Sequence, residues 1–210
     1  MVPGLGGYRV ITARGALTVV CTTGWAAAEF ARLGVPNLVR VPLGVDLATF
    51  SPSASTPACA PAWPRGARRC WCTAAACPPE KRPDRSIRAL AELRRRGVPA
   101  VLAVAGDGPL RARLTRLADG LPVRFLGHLA DRDALAALLA TADVALAPGP
   151  VETFGLVALE ALASGTPVVA TRDSTLPEVI GPAGAAGRPA RRGSGWISAA
   201  RRRRLPQCAI

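Results

Sequence analysis

Residues 148–171 read PGPVETFGLVALEALASGTPVVAT. Two carboxylates, Glu152 and Glu160, stand in it with seven residues between them. Between them lie Phe154, Gly155 and Leu156, and then a compact apolar run that continues past Glu160 through Ala163. Gly165 falls where a helix ends on a left-handed glycine, and residues 166–170 read as a buried strand. This pattern predicts Glu152 in the loop that enters a helix and Glu160 inside the helix, about two turns on. The backbone amides of Phe154, Gly155 and Leu156 would then face out of the helix N-terminus. Such amides form a site for a phosphate or a developing negative charge.

Outward from this stretch the chain alternates between short apolar strands and amphipathic helices. Residues 85–96 predict a helix with Ile87, Leu90, Ala91 and Leu93 on its apolar face, ended by Gly97. Strands are predicted at 101–105, 123–126, 143–147 and 168–171, and helices at 110–118, 133–142 and 176–180. Asp131 stands where it can cap the helix that begins at 133. Upstream, 10–13, 16–21 and 38–41 suggest strands and 26–33 a helix. Strands and helices alternating at this spacing imply an α/β fold, a Rossmann-like parallel sheet with helices on both faces. Ligands of such sheets bind beyond the carboxyl ends of the strands. The loops 106–109, 127–131 and 148–154 should therefore share one rim. Gly106 and Gly108 make only a fragment of the dinucleotide fingerprint, so no NAD site is read there.

The chain has 210 residues, half of them hydrophobic, enough for one good-sized core. No run of about 18 uncharged apolar residues is present. Arg9 and Arg14 precede an apolar stretch, as in a secretion signal, but Thr22, Thr23 and Gly24 interrupt it, and we read strand then helix. The net charge of +13 is unevenly spread. Residues 51–79 hold three arginines and 179–210 seven, neither with any acid, whereas 80–178 hold thirteen basic against twelve acidic residues. A near-neutral core without interleaved aromatics argues against nucleic acid as the partner, despite Arg201–Arg204. Cys70, Cys72 and Cys77 are too few for a structural metal, and the one histidine is His128.

The string around Glu152 and Glu160, with its flanking P-G-P and S-G-T-P-V-V, resembles the E-x7-E signature of retaining family 4 glycosyltransferases with the two-domain GT-B fold. The string 42–52, PLGVDLATFSP, is similar to the link between their two domains. The likeness covers about residues 10–52 and 79–187 and is strongest to GDP-mannose-dependent enzymes such as the phosphatidylinositol mannosyltransferases. It implies transfer of a hexose, mannose from GDP-mannose, to a lipid or glycan acceptor, with a nucleotide-sugar donor as substrate and no metal or other cofactor. It further implies a cytoplasmic setting with room for peripheral contact at the inner membrane face. Carried over residue by residue, Glu152 contacts the donor sugar and Lys81 the diphosphate, and these two are the catalytic candidates. Glu160 holds the ribose, Leu129 and Asp131 the base, and Gly106, Phe154, Gly155 and Leu156 complete the donor site.

The family pattern departs in two places. Its phosphate-binding arginine would fall at Ala76. GC-rich codons for Gly-Arg-Leu-Ser, read one base out of frame, can give the Ala-Ala-Cys-Pro found at 75–78, so a compensated frameshift is our reading of part of 53–78. Most of the acceptor-binding domain is also missing. The expected organisation is a remnant of that domain plus the link at 1–52, an irregular segment at 53–78, a nucleotide-sugar domain at 79–187 and a basic disordered tail at 188–210. A truncated enzyme of doubtful turnover, a non-catalytic nucleotide-sugar binder, a basic-tail binder of nucleic acid or membrane, and a sugar-nucleotide epimerase of the same GT-B fold are the readings left open.

Overall fold

The computed structural model describes residues 18–55, 69–74, 79–152, 154–172, 174–181, 184–185 and 196–199, and in 69–74, 184–185 and 196–199 the backbone only. Two compact units divide between Pro42 and Leu43. The first holds β1 (Val19–Cys21), α1 (Gly24–Arg32) and β2 (Leu38–Arg40), with the two strands parallel. Thr23 starts the helix, its hydroxyl accepting from the Ala26 amide at 3.2 Å. The strand expected at 10–13 lies outside the described residues.

The second unit is built on a sheet of order β5-β4-β3-β6-β7-β9-β8. In chain order its elements are β3 (Arg69–Ala74), α2 (Pro83–Arg95), β4 (Ala100–Ala105), α3 (Arg111–Leu117), β5 (Val123–Gly127), α4 (Arg132–Thr141), β6 (Val144–Ala147), α5 (Leu156–Ala163), β7 (Val168–Thr171), α6 (Leu176–Ile180), β8 (Gly184–Ala185) and β9 (Trp196–Ala199). From β5 to β7 every pairing is parallel, and β9 runs antiparallel to both of its neighbours. All six residues of β4 are buried, which explains its unbroken apolar sequence: a strand covered on both faces has no reason to alternate. Ala103 and Ala105 face a core formed with α4, α5 and α6, together with Ala145, Val168 and Ala170. Leu102 and Val104 face a second core formed with Ile87, Leu90 and Leu114 of α2 and α3. Helices thus cover both faces, as the alternating pattern requires.

Three boundaries need correction. Residues 69–74, inside the segment expected to be irregular, form β3, paired with β4 on one side and β6 on the other. A parallel strand between two neighbours carries no two-residue period, and its Cys-Trp-Cys-Thr run suits the pleat. Residues 196–199, expected within a disordered tail, form β9 against β7. The stretch 43–52 belongs with the second unit rather than with the N-terminal remnant. Its Asp46 accepts from the Ala48 amide at 3.0 Å and from the Thr49 hydroxyl at 2.8 Å, closing a turn. That turn delivers Phe50, fully buried, into the core under α4. The hydrogen bonds from Thr49 hold the Asp46 carboxyl below its ordinary value. The remaining positions of 53–78 and 188–210, Ala76 and Cys77 among them, lie outside the described residues.

Candidate functional site

The loop after β6 reaches α5 through Pro148, Gly149 and Pro150, and its course is fixed by close backbone packing. A Cβ at Gly149 would stand 2.9 Å from the Lys81 Cα and 3.1 Å from the Glu80 carbonyl oxygen. Only glycine lets this loop touch the turn that carries Lys81. The Pro148 carbonyl is held from two sides, by the Thr171 hydroxyl at 2.8 Å and the Arg85 guanidinium at 3.1 Å. Gly155 enters α5 at φ 86°, and a Cβ there would collide with the Leu176 side chain.

These constraints bring Lys81 and Glu152 together from opposite sides of the loop. The Lys81 ammonium lies 2.8 Å from the Glu152 carboxylate and donates to the Val151 carbonyl at 3.3 Å. The Glu152 backbone carbonyl accepts from the buried Thr175 hydroxyl at 2.9 Å. Lys81 is followed by Arg82 in the left-handed conformation at φ 48°, a strained geometry for a non-glycine residue. Arg82 forks onto Asp84 with two bonds of 2.9 Å, so the first turn of α2 is closed by a charged pair.

Lys81, Glu152, Gly155 and Leu156 line one cavity of about 190 Å³, with Pro148, Gly149 and the first residues of α5. Its floor is apolar, formed by β6, Val168 and Leu176. It therefore combines a paired lysine and carboxylate, a helix N-terminus and a greasy wall. Such a set can meet the charge of a phosphate and the faces of a sugar.

The other expected residues sit around it. Phe154 is buried and lies outside the lining. Glu160 is 8% exposed and also lies outside it. Burial pushes the Glu160 carboxyl above its ordinary value, and the Arg132 guanidinium, 3.9 Å away, works against that shift. Arg132 also covers the Phe50 ring at 5.1 Å. It follows Asp131, whose carboxylate caps α4 by accepting from the Asp133 amide at 2.9 Å. So Glu160 meets the start of α4 through Arg132. Leu129 packs against the core. Gly106 donates to the Gly127 carbonyl at 2.6 Å, which ties the two loops together. Gly106, Leu129 and Asp131 do not reach the cavity itself. Gly149, Arg85, Thr171, Thr175 and Arg132 were not singled out from the sequence. A glycine between two prolines was a legible sign of tight packing, and the others carried none. Among the described residues no cluster of potential metal ligands occurs.

The family model of glycosyl transferases group 1 matches residues 67–194, which contain the whole of this site. The chain belongs to that family.

Within group 1, the chain is 55% identical over 163 residues to a GDP-mannose-dependent alpha-(1-6)-phosphatidylinositol dimannoside mannosyltransferase of Mycobacterium tuberculosis, covering 78% of this chain and 43% of that protein. It is 40% identical over 147 residues to an MMP alpha-(1->4)-mannosyltransferase of Mycolicibacterium hassiacum, covering 69% of this chain and 33% of that one. Among solved structures, a sucrose-phosphate synthase of Thermosynechococcus elongatus superposes with a TM-score of 0.67 at 26% identity, over 80% of this chain and 44% of that one. The group 1 chain thus spans less than half the length of each of these curated relatives. The fold is that of the GT-B glycosyltransferases, as the family resemblance implied.

Proposed function

We propose that this chain is the donor-binding half of a retaining mannosyltransferase that takes GDP-mannose as donor and a lipid or glycan as acceptor. The observation that carries the proposal is the Lys81–Glu152 pair at the mouth of α5. In the reaction the bond between the anomeric carbon and the diphosphate oxygen breaks, the same carbon bonds to an acceptor hydroxyl oxygen on the same face, the hydroxyl's proton leaves with the diphosphate, and negative charge collects on the leaving phosphates. In this reading Lys81 and the first amides of α5 stabilise that charge, and no metal ion takes part. Glu152 orients the hexose through its hydroxyls. Glu160, near the start of α4, takes the ribose hydroxyls. The choice of GDP-mannose rests on the mycobacterial relative, whose name states that donor. The setting that goes with it is the cytoplasmic face of a membrane, touched peripherally. Among the described residues no helix is long and apolar enough to cross one.

A second reading, binding without turnover, is favoured by alanine at position 76, where the family pattern has a phosphate-binding arginine. Isothermal titration of the chain with GDP-mannose, GDP and UDP-glucose tests the site, and radiolabelled transfer to phosphatidylinositol mannosides tests turnover. GDP-mannose should bind in preference to UDP-glucose, and Lys81→Ala should weaken it by about tenfold or more, the loss of one charged hydrogen bond. Binding without transfer selects the second reading. Failure of every nucleotide to bind removes both.

A further inference from the structure

The near-neutral count of residues 80–178 hides a separation of charge between the two faces of the sheet. On one face, α2 and α3 carry seven arginines against two carboxylates, Asp84 and Glu92. On the other, α4, α5 and α6 carry one arginine against three carboxylates. The two acids of the basic face are already engaged. Asp84 is held by Arg82, and Glu92 by Arg95 at 2.8 Å and Arg96 at 2.7 Å. The exposed arginines of α3 are Arg113 and Arg116, and α2 adds Arg88, Arg94 and Arg95. The two helices pack side by side over one core, which sets their outward faces on the same side of the sheet. Leu117, 36% exposed, follows Arg116 on α3.

We propose that this α2–α3 face docks the protein on an anionic phospholipid surface. The inference deepens the proposed function, since it rests on the acceptor's being a membrane lipid. Arginine stems lie along an apolar boundary while their guanidinium groups reach phosphates, and a leucine beside them can enter the boundary itself. Anionic headgroups attract such a cluster at short range. Nucleic acid fits less well. Neither α2 nor α3 contains an aromatic residue, and the nearby Phe125 ring is covered by the Arg111 guanidinium at 4.5 Å. α2 begins two residues after Lys81, so the docked face is joined directly to the donor cavity.

The test is co-sedimentation of the 210-residue chain with phosphatidylcholine vesicles, with and without phosphatidylglycerol, at physiological salt. Three variants accompany it: the double reversal Arg113→Glu with Arg116→Glu, Leu117→Ser, and a chain with Arg201, Arg202, Arg203 and Arg204 replaced by Gln. Reversing two exposed arginines should lower affinity for the anionic vesicles by roughly tenfold or more. Leu117→Ser should lower it severalfold and leave retention on duplex DNA unchanged. The four-Gln variant should keep most of the vesicle binding. If that variant abolishes binding while the double reversal does not, the basic C-terminal segment is the anchor and the proposal is overturned. Equal loss of vesicle and DNA binding in the reversal, with no effect of Leu117→Ser, shows general attraction to polyanions and overturns it too. So does salt-sensitive self-association through this face in place of vesicle binding. GDP-mannose titration of the double reversal keeps the two questions apart. An intact donor site with lost vesicle binding supports the surface, and a donor site absent in the parent chain counts against the proposed function alone.

Discussion

Lys81 pairs with Glu152 at 2.8 Å, so a diphosphate entering the cavity competes with that carboxylate for the same ammonium group. Glu152→Gln removes the competitor. GDP, which has no sugar for Glu152 to hold, should then bind severalfold more tightly, while GDP-mannose loses a contact and gains little or weakens. Titration of both ligands against the variant reads the split, and parallel weakening of the two would show that Glu152 does not compete for Lys81. Glu160 makes a different prediction. Its carboxyl is pushed above the ordinary 4.5 by burial. Between 4.5 and the raised folded value the folded chain keeps a proton that the unfolded chain releases. Its contribution to stability therefore falls as pH rises through that window and stays flat above it. Glu160→Gln should remove this fall and make the protein more stable at neutral pH, while weakening nucleotide-sugar binding. Urea denaturation across the acid range tests it; an unchanged slope in the variant would mean that Glu160 is not the group responsible. A buried carboxylate that costs stability is what a site kept for binding looks like.

At the scale of elements, the helices were legible from their local period and strands such as β4 from their unbroken apolar runs. The predicted helix 85–96 is α2 at Pro83–Arg95, and the strand 101–105 is β4 at Ala100–Ala105. β3 was not legible. Its sequence looked like an anomaly of composition, and only pairing with β4 and β6 makes it a strand. The candidate site divides the same way. Glu152 and Gly155 could be found from the string and Lys81 from the family resemblance, whereas Thr171 and Thr175 act through loop carbonyls that only the folded chain brings near. Gly149 lies between these cases, and its role is a matter of two elements touching. In Gly149→Ala the added methyl meets the Lys81 backbone, so the turn Pro79–Lys81 must move away from the loop. Overpacking of this kind costs about 1–3 kcal/mol. Thermal melting should fall accordingly, and nucleotide affinity should fall with it because Lys81 is displaced. A melting temperature and affinity equal to the parent's would show that the loop is looser than this close approach implies.

For the molecule as a whole, the division into two units has an energetic consequence. The two core clusters of the second unit draw their residues from Val45 to Ile180, including the buried Phe50 that the Asp46 turn delivers. Among the described residues none before Pro42 belongs to either cluster. In the first unit α1 has no buried residue, and Val20, Trp25 and Leu33 are each more than half exposed. Exposed apolar side chains concentrated on so small a unit favour association between molecules. A chain that begins at Leu43 should therefore unfold cooperatively, with a melting temperature close to that of the full chain, and should aggregate less at equal concentration. It should also keep its affinity for GDP-mannose, because Lys81, Glu152 and Glu160 all lie within it. Calorimetry, light scattering and titration on the shortened chain measure the three properties. Loss of the cooperative transition would show that residues 1–42 support the sheet, and the donor-binding unit would then have to be drawn to include them.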